Sequence, residues 1–270
     1  MPLRVEQTFA ARLAAGGRQT GMWVCSGSPL VAEICAGSGL DFLLLDAEHS
    51  PNGIESLLAQ LQAVHGYPVS AVVRPPIGDA VLLKQYLDLG AQNLLIPMVD
   101  TPEQAAELVR AVRYPPHGIR GVGSSLARAS RWNRIDGYLE NAAESVTLLV
   151  QIESVAAVDN VEAIAAVDGV DGLFLGPADL AASMGLLGQQ EHPDVIAAVE
   201  HCIRVVKAAG KPVGVNAFAE ATARRYIDAG VDFILVGADV AMLARGSEAL
   251  AEKFMSPAAG GTGGEDRASY

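Results

Sequence analysis

The sequence predicts an α/β fold, a (β/α)8 barrel of the TIM type. The chain has 270 residues, half of them hydrophobic, which is a normal size for one such barrel and enough to bury a large core. Short apolar runs bounded by Gly and Pro alternate with Ala- and Leu-rich segments of helical period, as in right-handed βα units. Eight such runs occur, and eight strands close a barrel.

The predicted strands follow one another along the chain. They cover residues 21–26, 41–49, 70–76, 93–100, 147–154, 172–179, 212–218 and 232–240. The helices between them have recognisable ends. Thr101 is predicted to cap a helix that has Pro102 at its first position, and Gly90, Gly210 and Gly230 are predicted to end helices just before a strand.

Two regions interrupt this alternation. Residues 114–144 are too long for an ordinary connection and are rich in Gly, Ser and Arg before a short predicted helix. We expect this loop to serve the active site or a subunit contact. Residues 256–270 are mostly Gly and small polar residues, which cannot bury enough surface to order themselves. The sequence therefore predicts one barrel domain over residues 1–255 and a flexible tail over residues 256–270.

Composition excludes several classes of partner. A net charge of −12 and a pI near 4.8 repel phosphate backbones, so nucleic acid is not expected to bind. No run reaches the roughly 18 apolar residues of a membrane span, and the start does not resemble a signal peptide. Cys25, Cys35 and Cys202 form no CxxC pair, which suits core packing in a reducing compartment. A cytoplasmic protein is expected.

Side chains that suit carbonyl chemistry lie where four of the predicted strands end. His49, Arg74, Glu153 and Asp179 each follow an apolar run, and such ends meet on one face of a barrel, its mouth. Gln151 lies two residues before Glu153, so both side chains point to the same side. Two carboxylates suit Mg²⁺ or Mn²⁺. An arginine and a histidine beside them would supply a positive charge and a base.

Each of these residues also has a simpler interpretation. Glu153 could be a partly solvated carboxylate bonded to a loop, and Asp179 could be the N-cap of the next helix. Arg74 could form a structural ion pair, and His49 could be merely packed or solvated. Their shared position favours chemistry. The turn at residues 176–178 would also direct backbone N–H groups towards an anion.

Absent motifs narrow the chemistry further. The four lysines lie in helices, before a strand or near the tail, so none is predicted at the mouth to form a Schiff base. A metal must then polarise the carbonyl group of the substrate. The sequence also lacks a dinucleotide fingerprint, a P-loop, an HExxH motif and a GxSxG elbow, which removes support for nicotinamide, ATP and catalytic-triad chemistry.

The motifs around these residues resemble those of the HpcH/HpaI family of metal-dependent pyruvate aldolases. The similarity runs from about Phe9 to Phe254 and is carried by DAEHSPN, VVRP, IPMV, RYPPHGIRGVGSSLARASRWNRI, LVQIE and GPADL. The resemblance implies a barrel of the phosphoenolpyruvate/pyruvate type and a divalent cation, Mg²⁺, Mn²⁺ or Co²⁺. It also implies a homohexamer, a trimer of dimers, whose partners are a small 2-oxo acid and an aldehyde, with no nucleic acid or membrane.

The resemblance implies a role for each candidate residue. Glu153 and Asp179 would bind the metal, and His49 would be the base. Arg74 would stabilise the enolate, and Asp88 would raise the basicity of the histidine. The substrate contacts implied in this way are Gln151, Gly176, Pro177, Ala178, Asp179 and Trp23.

The implied reaction is that of a class II aldolase, a carbon–carbon lyase of aromatic-hydrocarbon catabolism. It would cleave 4-hydroxy-2-oxoheptanedioate reversibly to pyruvate and succinate semialdehyde through a metal-stabilised enolate. One alternative is a 2-keto-3-deoxy sugar-acid aldolase of the 2-dehydro-3-deoxyglucarate type, because Asn216 stands where related enzymes have an apolar run. Oxaloacetate decarboxylation, which forms the same enolate, is a possible side activity. A third hypothesis is that the barrel has no catalytic activity and serves in assembly.

Overall fold

Eight parallel strands close into a barrel in the computed structural model, which describes residues 7–255. Neighbouring strands pair in chain order, and the last pairs with the first. The strands are β1 Gln19–Val24, β2 Phe42–Asp46, β3 Ser70–Arg74, β4 Asn93–Ile96, β5 Thr147–Ile152, β6 Gly172–Leu175, β7 Val213–Asn216 and β8 Phe233–Ala238. The predicted (β/α)8 fold is confirmed, with every strand inside or overlapping its predicted run.

Helices connect successive strands, as the βα pattern predicts. They are α1 Phe9–Ala14, α2 Pro29–Ala36, α3 Ile54–Val64, α4 Ala80–Asp88, α5 Pro102–Val112, α6 Val155–Asp159, α7 Val161–Ala165, α8 Pro177–Ser183, α9 Pro193–Ala208, α10 Glu220–Asp228 and α11 Asp239–Met255. The predicted helix ends are also confirmed. Thr101 forms a capping box with Gln104, and Gly90, Gly210 and Gly230 all have a positive φ after their helices.

The interior of the barrel is filled by large apolar side chains, and a second apolar layer lies between strands and helices. Helix α1 closes the end at which the strands begin, which we call the floor. There the Phe9 ring lies 4.9 Å from the Phe42 ring and 5.4 Å from the Phe233 ring. On Gly214 a Cβ would come within 2.2 Å of the Phe233 ring, so this tight packing requires glycine. The packed interior separates the floor from the mouth.

The strands end earlier than predicted on the mouth side. Strand β2 stops at Asp46 and β5 at Ile152, so His49 and Glu153 lie in the loops that follow. Loop backbones can turn side chains away from the strict alternation of a strand. The chemistry-bearing side chains of the mouth are therefore held by loop contacts as well as by the sheet.

The long connection over residues 114–144 is built from three short 3-10 turns, Ser124–Leu126, Arg128–Ser130 and Ala142–Ser145. The short helix predicted at the end of this segment is present as the four-residue 3-10 helix Ala142–Ser145, directly before β5. Arg120 holds the loop to the barrel by donating to Asp88 at 2.8 Å and by stacking on the Tyr114 ring.

The tail predicted over residues 256–270 lies outside the described residues. Within residues 7–255, no helix combines the length and the apolar character needed to cross a bilayer.

Candidate active site

The mouth of the barrel encloses an open cavity of about 560 Å³. The predicted residues in its wall are Trp23, His49, Arg74, Gln151, Gly176, Ala178 and Asp179. Glu153 lies directly behind Gln151, whereas Pro177 is buried outside the wall. Residues from five different strand ends thus meet around one space, as the strand-end pattern predicts.

Arg74 is held rigidly at this mouth. Its Nε and Nη2 donate to the two carboxylate oxygens of Asp46 at 2.8 and 3.0 Å, a bidentate pair that is buried on both sides. The β2–β3 register places the two residues opposite each other. Nη1 of Arg74 lies 2.8 Å from Glu48, and the guanidinium stacks 4.2 Å from the Trp23 ring. The predicted structural ion pair exists, and it also fixes a positive charge in the cavity wall.

The Asp46 carboxylate has a second task that the sequence analysis missed. It also accepts the backbone N–H groups of Glu48 at 3.1 Å and of His49 at 3.2 Å. With 1% exposure, this single buried group fixes both the arginine and the turn that carries the histidine. One feature of the sequence could have revealed this role: Asp46 is a carboxylate inside an apolar run, three residues before His49.

His49 is the most accessible of these groups, because 67% of its side chain is exposed. Its Nε2 lies 3.8 Å from the Glu48 carboxylate. Burial raises the pKa of Glu48, whereas the charges of Arg74 and His49 act against that rise. The imidazole therefore faces both the cavity and water, which is a suitable position for exchanging a proton.

Asp88 is not beside His49 within this chain. It is the last residue of α4, and it accepts a hydrogen bond from Arg120. Among residues 7–255, no contact joins Asp88 to His49. The implied effect of Asp88 on the basicity of the histidine therefore stays a prediction.

Glu153 is a buried carboxylate, 2% exposed, with no ion pair among the described residues. Its Oε1 accepts the Met98 N–H at 2.8 Å, and its Oε2 accepts the Gln151 amide. Met98 has a φ of 55°, an unusual conformation for a residue other than glycine. Burial raises the pKa of Glu153 to about 7, and the nearby Asp179 charge adds to this rise. A positive ion beside Glu153 would relieve both effects.

Gly176 lets the Glu153 carboxylate and the Gln151 amide pack closely against the turn that follows β6. A Cβ on Gly176 would lie 2.6 Å from Glu153 Oε2 and 3.0 Å from Gln151 Nε2. The Oε1 atom of Gln151 is buried and has no hydrogen-bond partner. Asp179 lies in the first turn of α8, whose N-cap is Gly176 and has no side-chain cap. The N-cap interpretation of Asp179 is therefore wrong, and its carboxylate is not committed to the helix end.

These oxygen donors fit a hard divalent cation. Carboxylates of Glu153 and Asp179 and the unpartnered oxygen of Gln151 are the ligand types that Mg²⁺ and Mn²⁺ prefer. In the part of the chain described here, no three His, Cys, Asp or Glu side chains form a metal cluster. An ion held by two carboxylates would keep its other positions for water and substrate.

The cavity wall also contains a set of uncharged residues, which we call the uncharged wall, and sequence reasoning gave a role in substrate recognition only to Asn216 among them. These are Cys25, Gln190, Asn216, Phe218, Val240, Ala241 and Ala244. Burial raises the pKa of Cys25 to about 12, and the nearby charges of Asp46 and Asp239 raise it further. This wall therefore offers amide groups, apolar surface and a neutral thiol, with no additional charge.

Comparison with known proteins agrees with this geometry. Residues 19–246 match the family model of the HpcH/HpaI aldolase/citrate lyase proteins. A hydroxypyruvate/pyruvate aldolase of Deinococcus radiodurans is 55% identical over 93% of this chain and 90% of its own length. A 4-hydroxy-2-oxo-heptane-1,7-dioate aldolase of Shigella sonnei is 50% identical over 93% of this chain and 95% of its own length.

A solved structure of an HpcH/HpaI aldolase/citrate lyase family protein from Burkholderia cenocepacia superimposes with a TM-score of 0.89. It is 41% identical, and the match covers 93% of this chain and 100% of that one. The resemblance found in the motifs is thus confirmed along almost the whole barrel. The chain belongs to the HpcH/HpaI aldolase/citrate lyase family.

Proposed function

We propose that the protein is a divalent-metal-dependent aldolase that reversibly cleaves 4-hydroxy-2-oxoheptanedioate to pyruvate and succinate semialdehyde. The observation that carries the proposal is the buried Glu153 carboxylate, which lies behind Gln151 and close enough to Asp179 to feel its charge, at the wall of the cavity that Arg74 also lines. Relatives about half identical to this chain carry the name of this reaction, which supports the choice of substrate.

Glu153 and Asp179 would hold the cation, with Gln151 close enough to orient either the ion or the substrate. Bound there, Mg²⁺, Mn²⁺ or Co²⁺ supplies Lewis-acid polarisation of the keto group of a 2-oxo acid. Ala178, in the wall beside Asp179, would offer its backbone N–H to the carboxylate of that acid. Trp23 supports the site indirectly, because its ring packs against the Arg74 guanidinium.

Arg74 would stabilise the negative charge that moves onto the keto oxygen as the C3–C4 bond breaks. Its position is already fixed by Asp46, so no reorganisation is needed during the reaction. An imidazole nitrogen of His49 would accept the proton of the C4 hydroxyl, directly or through a water molecule. The exposure of His49 lets that proton exchange with solvent, and a proton supplied from solvent then returns to C3 of the enolate to give pyruvate.

Hydroxypyruvate is a second donor that deserves a test beside pyruvate. The 55% identical relative from Deinococcus radiodurans is named for both donors. Asn216 and Gln190 contribute amide groups to the cavity wall, and an amide can bond to an additional hydroxyl group. The names of the reported relatives do not favour the sugar-acid alternative.

The test is an assay of pyruvate formation from 4-hydroxy-2-oxoheptanedioate. Enzyme stripped by a chelator should lose the activity and regain it with Mg²⁺, Mn²⁺ or Co²⁺. Borohydride should trap no pyruvate on the polypeptide, because no lysine is in the cavity wall. Activity that survives the chelator, or that survives His49→Ala combined with Glu153→Ala, would refute the proposal.

We also propose that the chain works as a homohexamer in a reducing compartment, the cytoplasm. Exposed apolar side chains on α11 support assembly: Met242, Leu243, Leu250, Phe254 and Met255. The three cysteines are unpaired, which supports a reducing environment. Sedimentation of the purified chain at several concentrations measures the assembly state directly.

A further inference from the structure

A second cavity lies at the floor of the barrel, at the opposite end from the mouth. It has a volume of about 280 Å³ and is bordered by α1, the end of α3, the starts of β3 and β4, and the long loop. Its described wall contains Arg12, His65, Arg128 and Arg131 and no carboxylate. His65 and Arg128 have further interaction partners, so Arg12 and Arg131 are the positively charged groups of this wall that a ligand could use.

Two of these arginines have spare donor capacity. Arg12 donates from Nη1 to the Pro68 carbonyl at 3.2 Å, but its Nε is buried and has no hydrogen-bond partner. Among the described residues, Arg131 makes only long contacts of 3.5 Å, from Nη1 to the Arg128 carbonyl and from Nη2 to the His65 ring. Over residues 7–255, neither guanidinium pairs with a carboxylate. A guanidinium has five N–H donors, so the side chains of Arg12 and Arg131 can both donate further hydrogen bonds to an anion.

Ser70 adds a hydroxyl group to the same cavity. It is the first residue of β3 and only 5% exposed, yet its Oγ has no hydrogen-bond partner. Alternation along the strand places Ser70 on the same side as Val72 and Arg74. A buried hydroxyl without a partner is costly in a folded protein. A ligand oxygen in the cavity would remove that cost.

The loop that presents Arg131 has an unusual backbone. Arg131, Trp132 and Asn133 have φ values of 53°, 55° and 63°, three consecutive left-handed residues without a glycine. This conformation is unfavourable for residues that have a Cβ atom, and strain of this kind concentrates at functional sites. The strained turn brings the Arg131 side chain to the wall of the floor cavity.

We propose that the floor cavity binds a small phosphate-type dianion, either inorganic phosphate or the phosphate monoester of a small metabolite. The planar forks of Arg12 and Arg131 match phosphate oxygens, and the Ser70 hydroxyl can donate to another oxygen. The cavity is slightly smaller than the roughly 300–1,000 Å³ of pockets for drug-sized ligands. It therefore suits a phosphate with a short carbon chain. The proposal does not depend on the reaction at the mouth.

The test is isothermal titration of inorganic phosphate and glycerol phosphate into the full chain at constant ionic strength. A chelator is present, so that no metal at the mouth can hold the anion. We expect one saturable site per chain, weakened about tenfold or more by Arg131→Gln and by Arg12→Gln. Arg204→Gln, which removes the same charge from an exposed position on α9, is the matched control and should bind as the wild type does.

Three results would overturn the proposal. They are no saturable binding of either phosphate, equal weakening by Arg204→Gln, and succinate binding as tightly as phosphate. Thermal melts without anion establish that each variant is folded. If Arg12→Gln is unfolded, Arg131→Gln and Ser70→Ala carry the test, because both keep the α1 packing. Ser70→Ala should weaken phosphate binding by about threefold.

Discussion

The mouth and the floor of this barrel are made by the same eight strands, yet their cavities have opposite charge. At the mouth, the carboxylates of Asp46, Glu48, Glu153 and Asp179 outnumber the single guanidinium of Arg74. At the floor, the described wall has arginines and no carboxylate. One end is thus suited to a cation and the other to an anion.

Strand β3 alone shows how this difference arises. It begins with Ser70 at the floor and ends with Arg74 at the mouth, and the packed apolar interior lies between them. Charged groups at the two ends are therefore separated by low-dielectric material and by distance. The core determines the stability of the barrel, whereas the strand ends and loops determine what each end can bind.

The largest effect is expected from Glu153→Gln. Removing this carboxylate removes one of the two proposed metal ligands, so pyruvate formation should fall by about a thousandfold. Glu162→Gln, an exposed position on α7, is the matched control and should keep full activity. Steady-state kinetics at saturating Mg²⁺ measure both variants. Near-normal activity of Glu153→Gln would show that the reaction does not need the Glu153 carboxylate as a metal ligand.

A smaller loss is expected from Asp46→Asn, which tests whether one carboxylate organises the mouth. The change weakens the bidentate bond to Arg74 and the contact to the His49 backbone, so kcat should fall by about a hundredfold while KM changes little. Asp228→Asn, at an exposed helix end, controls for the loss of charge. An unchanged kcat for a folded Asp46→Asn variant would contradict this positioning role.

Asn216→Leu should have a more selective effect. Its side chain lies in the uncharged wall of the mouth, so the change should spare metal dependence. The ratio of kcat/KM for hydroxypyruvate over pyruvate should fall by about tenfold, because one hydrogen bond to the additional hydroxyl is lost. The assay is aldol addition to a common aldehyde with either donor. An unchanged ratio would remove Asn216 from donor recognition.

The smallest effect concerns the Cys25 thiol. Burial and the charges of Asp46 and Asp239 raise its pKa to about 12, so it stays neutral where an ordinary thiol ionises near pH 9. Alkylation by iodoacetamide at pH 9 should therefore be much slower in the folded than in the unfolded chain. The neutral thiol is favoured in the folded state, so its contribution to stability is present below pH 9 and is lost as the pH rises towards 12.

Mass spectrometry of the peptide that contains Cys25 measures this reaction. The Asp46→Asn variant should react faster, because one of the charges that raise the thiol pKa is removed. Equal alkylation rates in the folded and unfolded chains would show that neither burial nor the nearby carboxylates raise the pKa of the Cys25 thiol.

The sequence was sufficient to predict the eight strands, the helix ends and the four side chains that follow strand ends. Those features depend on local periodicity, capping and the geometry common to all such barrels. Asp46 was missed because its role depends on the register that places it opposite Arg74. A register between strands is a property of two distant segments, which local patterns do not report.

Other features were beyond prediction for similar reasons. The N-cap considered as the simpler interpretation of Asp179 is wrong, because the helix begins at Pro177 and leaves the carboxylate in its first turn. The left-handed conformation of Met98, whose N–H donates to Glu153, is not predicted by its residue type, because methionine seldom adopts it. The floor cavity needs α1 and the long loop to meet, and neither segment has a motif that predicts this contact.

Titration of Mn²⁺ into the chelator-stripped chain tests the central claim, that the two ends hold opposite charges for opposite ligands. The titration is done at pH 8, above the pKa of about 7 of Glu153. The account predicts one site per chain, weakened about a hundredfold by Glu153→Gln and unchanged by Arg131→Gln at the floor. Unaltered Mn²⁺ affinity in Glu153→Gln would contradict it.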